Sequence, residues 1–330
     1  MPKISVIIPI YNMEKYLGTC LDSILVQSLK DIEVLCMNDG SVDKTKDILN
    51  YYASKDDRIK VINQDNMGVA RTRNKAIMLA SGEFVIFIDP DDYYPSDDIL
   101  ETLYQKAKEN GVLICGGRFS EFKNYGDVLK TDFAGSVDGY IFNEDKIIDY
   151  KDYQFDYGFH RFIYDRKMLI DNKIFFPIYK RFEDPVFFVN AMIKAGKFYA
   201  IDKITYAYRF GYKKDNIDFK YVNDFLSGVV QNYKNAKKYN LEKLMEYCNM
   251  RFFEHHWAIK DKYNKDSIKN LKIIMRITTD IEVKKNVKQI LRVIDEKYSC
   301  GFFIRNSIDG KHKIINLLGL KIKFKRKKNG

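Results

Sequence analysis

The feature that most constrains the fold is the regular alternation, over the first 116 residues, of short apolar runs and amphipathic stretches. The apolar runs are rich in β-branched residues and read KISVIIPIY, DIEVLCMND, IKVIN, EFVIFID and VLICGG. The stretches between them, such as EKYLGTCLDSILVQS, place apolar residues at helical spacing. Fully apolar strands separated by helices are typical of a mostly parallel sheet covered on both faces. The sequence therefore predicts an α/β fold.

The rest of the chain changes character twice. With 330 residues, the chain exceeds what one compact core usually takes, so about two units are expected. Residues 117–215 are less regular and rich in Phe, Tyr and Asp, as is typical of a loop-built binding region. Residues 216–300 have a helical pattern, and residues 301–330 form a basic tail that mixes apolar and charged residues. Four regions are therefore predicted, with boundaries after residues 116, 215 and 300.

The positive charge is concentrated in that tail. The net charge is +11, but residues 311–330 hold eight Lys/Arg and no acid, which leaves +3 for the rest. Three interpretations compete: solvated charge, nucleic-acid binding, and contact with an anionic membrane. Nothing resembles the interleaved aromatic and basic residues of an RNA-binding module, so no nucleic-acid partner is expected. Lysines beside apolar residues favour an anionic membrane surface.

The N-terminus and the cysteines bear on location. The start, MPKISVIIPIYN, lacks the long apolar stretch and cleavage site of a secretory signal. The five cysteines are odd in number and far apart, which fits neither a disulfide framework nor a zinc site. These features predict a cytoplasmic protein, held peripherally at the inner face of the cell membrane by its tail.

Polar residues follow the predicted strands at the edge where an α/β sheet binds ligands. The loop after the first strand contains Pro9, Tyr11 and Asn12, without the glycines that a dinucleotide site needs. Asp39 follows the second strand in NDGSVD, where it could equally serve only a turn. The spacing therefore predicts a ligand site at this edge, but not one of the NAD type.

Three aspartates, Asp89, Asp91 and Asp92, follow the fourth strand. Carboxylates so crowded repel one another unless a cation or an arginine lies near. Carboxylate oxygens are hard ligands that suit Mg²⁺ or Mn²⁺ better than zinc or copper. The cluster therefore predicts a divalent-metal site.

Together these motifs resemble those of family 2 glycosyltransferases, inverting enzymes of the GT-A fold. The matching pieces are SVIIPIYN, NDGSVDKT, NMGVARTRNKAI and GEFVIFIDPDD, in the family's order over roughly residues 3–116. Asn38 and Thr72 depart from the pattern, where the family more often has Asp and Ala. The resemblance implies that residues 1–116 are the nucleotide-sugar-binding half of a GT-A domain. Residues 117–215 would then be the half that binds the acceptor and supplies the base.

The resemblance also implies roles for single residues on the donor side. Tyr11, with Pro9 and Asn12, would lie near the base of a UDP-sugar, and Asp39 would bind the uracil. Arg73 and Asn74 would support the donor pocket, although an ion pair between Arg73 and the aspartates is an equal alternative. Asp89 would lie beside the ribose. Asp91 and Asp92 would approach the metal, and the sequence does not decide which of them binds it.

Inverting transfer also needs a base for the acceptor hydroxyl. Glu183 and Asp184, in YKRFEDPVFF, resemble the family's Glu-Asp motif, in which the aspartate is usually the base. Acids before a proline are also a sound helix start, which is the competing interpretation. The distance from the metal motif and the aromatic surroundings favour Asp184 as the base.

Three further residues are candidates for contact with the acceptor or a phosphate. His160 and Arg161 stand where relatives have an aromatic-Asn-Lys element, and Arg209 could reach a phosphate. A structural histidine and a solvated arginine are the competing interpretations.

The resemblance implies a metal-dependent transfer of sugar from a UDP-sugar to a cell-surface glycan, of the capsule or lipopolysaccharide kind, or to a lipid-linked saccharide. Two alternatives remain. A nucleotidyltransferase also uses aspartates and a metal but releases pyrophosphate, and an inactive protein would only bind a sugar nucleotide or a membrane.

Overall fold

The structure is a computed structural model that describes residues 1–127, 142–211, 217–259, 262–297, 303–306, 312–317 and 320–325, with side chains as far as residue 295. The chain divides into two compact units, Met1–Asp215 and Asn216–Gly330. The predicted tail therefore lies partly outside the described residues.

The first unit is built on one large sheet. In the described part of this unit, the sheet has eight strands in the order β3-β2-β1-β4-β7-β5-β8-β6. They are β1 Ile4–Ile10, β2 Ile32–Asp39, β3 Ile59–Gln64, β4 Phe84–Phe87, β5 Ile114–Phe122, β6 Lys146–Asp149, β7 Phe162–Asp165 and β8 Lys197–Arg209. Every residue of β1 and β2 is buried, as expected for strands of a sheet that is covered on both faces, and the buried residues include the polar Ser5 and Glu33.

Among the described residues of the first unit, seven helices accompany this sheet. They are α1 Leu17–Leu25, α2 Thr45–Ala53, α3 Val69–Leu79, α4 Ile99–Glu109, α5 Tyr150–Tyr153, α6 Arg166–Asp171 and α7 Glu183–Ala195. In α4, Ile99, Leu100, Leu103 and Ala107 are buried, so the helical spacing of these apolar residues gives the inward face. The helices and the mostly parallel sheet confirm the predicted α/β fold.

Strand β7 was not foreseen from the sequence. It runs antiparallel between β4 and β5 and pairs with both. Its neighbour β5 approaches closely at Gly116, where a Cβ atom would lie 2.0 Å from the Phe162 ring, so only glycine fits. Strand β7, which follows β5 by about 40 residues in the chain, therefore joins β4 to β5 within the sheet.

This topology gathers the candidate residues at one edge of the sheet. Strands β1, β2 and β4 are parallel and end there: Tyr11 follows β1, Asp39 is the last residue of β2, and Asp89 comes two residues after β4. Because β7 runs in the opposite direction, the 3-10 turn Phe159–Arg161 before it lies at the same edge. Strand β8, which is parallel to β5, ends there with Arg209.

An aromatic cluster lies beneath this edge. Phe176 stacks on Phe187 of α7 with ring centroids 4.0 Å apart, and its ring meets Phe87 and Phe159 at 5.2 and 5.4 Å. Such pairs add to the hydrophobic stabilisation of the area they bury. The cluster therefore fixes α7 and the 3-10 turn relative to β4, which carries the aspartates.

The second unit begins with four helices, as the pattern over residues 216–300 predicts. They are α8 Phe219–Tyr239, α9 Glu242–Ile259, α10 Lys265–Ile277 and α11 Ile281–Lys297. Asp218 caps α8 by accepting a hydrogen bond from Tyr221 N, and Asn264 with Ser267 forms a capping box on α10.

The tail contains a small antiparallel sheet of three strands, β9 Phe303–Asn306, β10 His312–Leu317 and β11 Leu320–Lys325, in the order β11-β10-β9. Across the part of the chain that the structure describes, the helices are all too short or too polar to cross a membrane.

Candidate active site

Three carboxylates meet directly after β4. Asp89, Asp91 and Asp92 each offer an oxygen atom, and these atoms lie within 4.8 Å of one another. Asp91 and Asp92 are buried, whereas Asp89 is half-buried. Three hard oxygen ligands so close together are a donor set that fits Mg²⁺ or Mn²⁺.

Asp92 is anchored to β8 on both sides of its carboxylate. Tyr206 Oη donates to Oδ2 at 2.6 Å, and Arg209 N donates to Oδ1 at 2.7 Å. Burial raises the pKa of Asp92 well above its usual value, and the charges of Asp91 and Asp89 raise it further. Tyr206 Oη also accepts a hydrogen bond from Asp89 N at 3.1 Å. Asp92 and Tyr206 therefore hold the aspartate loop against β8.

Arg209 forms part of the wall of this site. Its Nε donates to the main-chain oxygen of Asp91 at 3.0 Å, and its Nη1 donates to that of Lys123 at 2.9 Å. The guanidinium lies 4.6 Å from the ring centroid of Tyr16 and 4.4 Å from that of Phe122. These contacts give Arg209 a structural role and do not support the predicted contact with a phosphate.

Arg73 of α3 connects the aspartates to the start of α7. Its Nη2 lies 2.8 Å from Asp89 Oδ1 and its Nη1 lies 3.3 Å from Glu183 Oε1. The predicted alternative, an ion pair with the aspartates, is therefore present, and it extends to a second carboxylate 110 residues away along the chain.

Asp184 occupies the first turn of α7, next to Glu183. Glu183 is buried and Asp184 is half-buried. Burial, and then the charge of Glu183, raise the pKa of Asp184 to about 7 against the opposing charges of Arg181 and Arg73. A carboxyl group that titrates near neutral pH suits proton transfer, because a general base works best when its pKa lies near the working pH.

Tyr11 and Asn12 form the rim at the end of β1, and Pro9 is buried within that strand. The Tyr11 side chain is 46% exposed, which leaves its ring accessible to a ligand. Asn12 has a φ of 52° and joins the loop after β2: its N–H donates to Ser41 Oγ, and its Oδ1 accepts from Val42 N. Asn12 therefore shapes the rim through contacts within the protein.

Asp39 is held by the segment that leads into α3. Its Oδ1 accepts hydrogen bonds from Gln64 Nε2 and Met67 N at 2.8 and 2.9 Å, and its Oδ2 accepts one from Gly68 N at 2.9 Å. The next residue, Gly40, has a φ of 77°, and a Cβ there would lie 2.9 Å from Asn66 N. The carboxylate is therefore fixed at the end of β2 by a turn that only glycine allows.

Asn74 binds the main chain of a residue far along the sequence. Its Nδ2 donates to the carbonyl oxygen of Phe176, and its Oδ1 accepts from Phe176 N, both at 2.8 Å. Since both ends of the amide bind one residue of the main chain, the predicted support of the donor pocket is indirect. Asn74 positions the Phe176 ring, which lies under Arg73.

His160 and Arg161 lie deeper than predicted. The His160 ring is buried, 4.1 Å from that of Tyr206, and burial lowers the pKa of His160 to about 3, so the ring is neutral. Arg161 is fully buried, with Nη1 donating to Gly117 O at 2.9 Å and the guanidinium 4.9 Å from the rings of Phe142 and Phe162. Arg161 therefore supports the second half of the domain through these contacts, and its contact with the acceptor or a phosphate stays a prediction.

Comparison with known proteins gives the family. The sequence model described as "Glycosyl transferase family 2" matches residues 5–173, about half of the chain. The chain belongs to this family. The described fold agrees: S. aureus TarS 1-349, in a crystal structure with UDP-GlcNAc, has a TM-score of 0.69 at 22% identity, covering 98% of this chain and 99% of that one. At this identity the likeness shows the fold, which is GT-A.

Two family relatives have higher identity over shorter stretches. The poly(ribitol-phosphate) beta-glucosyltransferase of Bacillus spizizenii is 36% identical over 200 residues, which are 59% of this chain and 30% of that protein. The glycosyltransferase GlyA of Streptococcus pneumoniae is 42% identical over 120 residues, 36% of this chain and 17% of that protein. The family 2 chain therefore spans less than a third of the length of either relative.

Proposed function

We propose that this family 2 chain transfers a sugar from a UDP-sugar to a hydroxyl group of a saccharide or lipid-linked saccharide, with inversion and with the help of a divalent metal. The observation that carries this proposal is the convergence of an aspartate cluster and a near-neutral Asp184 at one sheet edge, joined through Arg73. TarS, which has a similar fold, binds UDP-GlcNAc, and the mannosyltransferase PcManGT from Pyrobaculum calidifontis, with a TM-score of 0.55, binds GDP-Man and Mn²⁺.

The donor would lie along the ends of β1, β2 and β4. The exposed ring of Tyr11 offers a stacking surface for uracil, and Asp39 an acceptor for its N–H. Asp89 would lie beside the ribose, and Asp91 would hold the metal. A bound Mg²⁺ or Mn²⁺ would neutralise the charge that develops on the leaving diphosphate. We assign the metal to Asp91 because both oxygens of Asp92 already accept hydrogen bonds from β8.

Asp184 would act as the base. The acceptor oxygen forms a bond to the anomeric carbon while its proton passes to the Asp184 carboxylate. The bond from that carbon to the phosphate oxygen breaks on the opposite face, and its electron pair leaves with UDP. Inversion follows from this single displacement, and a placed base typically contributes about 10²–10⁴-fold to the rate.

The acceptor belongs to the part of the site nearest α7 and β8. One relative is named for glucosylating poly(ribitol-phosphate), a polymer rich in hydroxyl groups. We propose that the acceptor here is also a polymer that carries free hydroxyl groups, namely a cell-surface glycan.

A panel of nucleotide sugars tests this function. With Mn²⁺ present, UDP release by slow hydrolysis is expected for one or a few UDP-sugars, and a chelator is expected to abolish it. Release of pyrophosphate in place of UDP would instead identify a nucleotidyltransferase. Thermal stabilisation by UDP and Mn²⁺, without UDP release for any donor or acceptor, would identify a protein that only binds sugar nucleotides.

We also propose that the tail holds the protein at an anionic membrane, where a lipid-linked acceptor would be found. Lys321, Lys323 and Lys325 occupy alternate positions in β11, and alternate positions of a strand belong to the same face of a sheet. Leu320, Ile322 and Phe324 occupy the other face of that strand. The register therefore separates the basic positions from the apolar ones, which supports contact with a charged surface.

Sedimentation with vesicles tests the tail. Replacing Lys321, Lys323 and Lys325 by Gln is expected to weaken binding to vesicles rich in phosphatidylglycerol at least tenfold, since each charge is worth on the order of 1 kcal/mol at an anionic bilayer. The matched control replaces the exposed Lys234, Lys237 and Lys238 of α8, which changes the net charge equally. Equal weakening by both triple variants would show that only net charge matters and would refute the role of the tail.

A further inference from the structure

Arg73 occupies an unusual place for an arginine. Its side chain is 5% exposed, and its guanidinium lies between the aspartates that follow β4 and the first turn of α7. The ring centroids of Phe159 and Phe176 lie 4.8 and 5.2 Å from it. Burying a charge costs free energy unless the charge is paired, so Arg73 depends on its partners to be stable at this position.

One partner of Arg73 belongs to the proposed donor site, and the other lies beside the proposed base. Asp89, at 2.8 Å, belongs to the donor loop, and Glu183, at 3.3 Å, is the neighbour of Asp184. The fixed geometry of a guanidinium allows it to bond two carboxylates through different nitrogen atoms, whereas the ammonium of lysine is a point charge. The aromatic rings, one of which Asn74 holds through Phe176, keep the guanidinium in this orientation.

We propose that Arg73 is a positioning residue that couples the donor loop to the catalytic base through Glu183. The inference rests on the proposed function, because it takes Asp184 as the base and Asp89 as part of the donor site. Arg73 pairs with Glu183 and so compensates the negative charge beside Asp184. The same guanidinium fixes Asp89, so donor binding and base strength depend on one side chain.

The charges around Asp184 determine whether each substitution should raise or lower its pKa. Glu183 is its neighbour in the chain, Arg181 comes three residues before it, and Arg73 acts on it from α3. Burial, with a smaller contribution from the charge of Asp184, raises the pKa of Tyr164 of β7. Tyr164 is neutral, with Oη donating to Phe159 O. The Arg73 charge lowers the pKa of Asp184, and the Glu183 charge raises it. Removing the Arg73 charge should therefore raise the pKa of Asp184, and removing the Glu183 charge should lower it.

The test is the acidic limb of the pH–rate profile, with UDP release as the readout and UDP·Mn²⁺ affinity measured separately. Arg73→Gln is expected to move the limb about one pH unit higher, as loss of a nearby opposite charge commonly does, and to change UDP·Mn²⁺ affinity. Arg73→Lys keeps the charge but not the bridge and is expected to recover part of the shift. Arg71→Gln is the matched control on the same helix: Arg71 is exposed and contacts only the Met67 carbonyl of its own turn among the hydrogen bonds of the described residues.

Glu183→Gln provides the second arm, which does not depend on the folding of the Arg73 variants. It is expected to move the limb to lower pH without changing UDP·Mn²⁺ affinity. In the double variant, the shift caused by Arg73→Gln should shrink. A folded Arg73→Gln protein with the wild-type limb, or a Glu183→Gln protein whose limb does not move, would overturn the coupling. A wild-type protein that releases no UDP would contradict the proposed function itself, before any variant is compared.

Discussion

Asp184→Asn is expected to abolish sugar transfer while leaving UDP-sugar binding unchanged. The amide cannot accept the proton of the acceptor hydroxyl, so the rate should fall by at least about 10²–10⁴-fold, the usual contribution of a placed base. The donor contacts proposed for Tyr11, Asp39 and Asp91 lie on other loops and are not altered. Single-turnover transfer and calorimetric binding of UDP-sugar separate the two effects.

The loss should not come from unfolding. A carboxyl group whose pKa is raised on folding, here to about 7, reduces stability above its unfolded pKa, because the folded protein must hold an unfavourable charge. Replacing Asp184 by Asn removes that charge, so the variant should be as stable as the wild type at pH 8, or more stable. Asp171→Asn, a change of the same kind at an exposed position of α6, is the control and should keep full activity.

The wild-type pH profile follows from the same pKa. As the pH falls below about 7, Asp184 takes up a proton, and activity should decline about tenfold per pH unit. The Asp184→Asn protein should lose this limb. If it retains near-normal turnover and the wild-type profile, the base must be another group.

The donor side of the site could be predicted from sequence because its signals are local. Asp39 and the three aspartates stand directly after apolar runs, and parallel strands bring the ends of such runs to one edge. In a buried sheet with helical crossovers, the strands are apolar and the helices are amphipathic. The alternation of these two patterns over the first 116 residues therefore predicts the fold.

The second half resisted prediction because its contacts join residues far apart in the chain. Nothing in the short run FIYD indicates that β7 inserts between β4 and β5, since the pairing is decided by packing and not by local pattern. The sequence predicts contact with the acceptor or a phosphate for Arg161 and support of the donor pocket for Asn74, but it cannot reveal the main-chain groups to which each side chain is bound. Tyr206 forms hydrogen bonds with both Asp89 and Asp92. The sequence does not indicate this role, because a tyrosine in an aromatic strand is indistinguishable from a tyrosine that only packs in the core.

Glu33, which lies away from the site, also depends on contacts with residues far apart in the chain. It is an acid inside the buried strand β2, which no pattern explains. In the structure its carboxylate accepts hydrogen bonds from Ser5, Ser81 and Lys60, which lower its pKa to about 2 despite its burial. A charge that seems misplaced in sequence is satisfied by partners from three other segments.

Asp91→Asn is expected to remove most of the metal-dependent affinity for UDP, whereas Asp92→Asn is expected to act mainly on stability. Replacing a carboxylate by an amide removes the charged ligand that hard cations prefer, so UDP affinity in Mn²⁺ should fall at least tenfold in Asp91→Asn. With a chelator present, this variant and the wild type should bind UDP equally weakly.

Asp92 differs because its carboxylate is built into the fold. It accepts hydrogen bonds from Tyr206 Oη and Arg209 N in a buried setting, and an amide can reproduce one of these contacts but places its NH₂ group against the other donor. An unsatisfied buried polar group costs about 1–3 kcal/mol, and removal of the buried charge, which burial and the neighbouring carboxylates disfavour, offsets part of this cost, so urea denaturation should show a free energy of unfolding that is lower by less than about 3 kcal/mol. The metal-dependent gain in UDP affinity should change less in Asp92→Asn than in Asp91→Asn. The reverse pattern, with metal dependence lost in Asp92→Asn and kept in Asp91→Asn, would transfer the metal to Asp92 and would mean that the bonds to β8 give way when the ion binds.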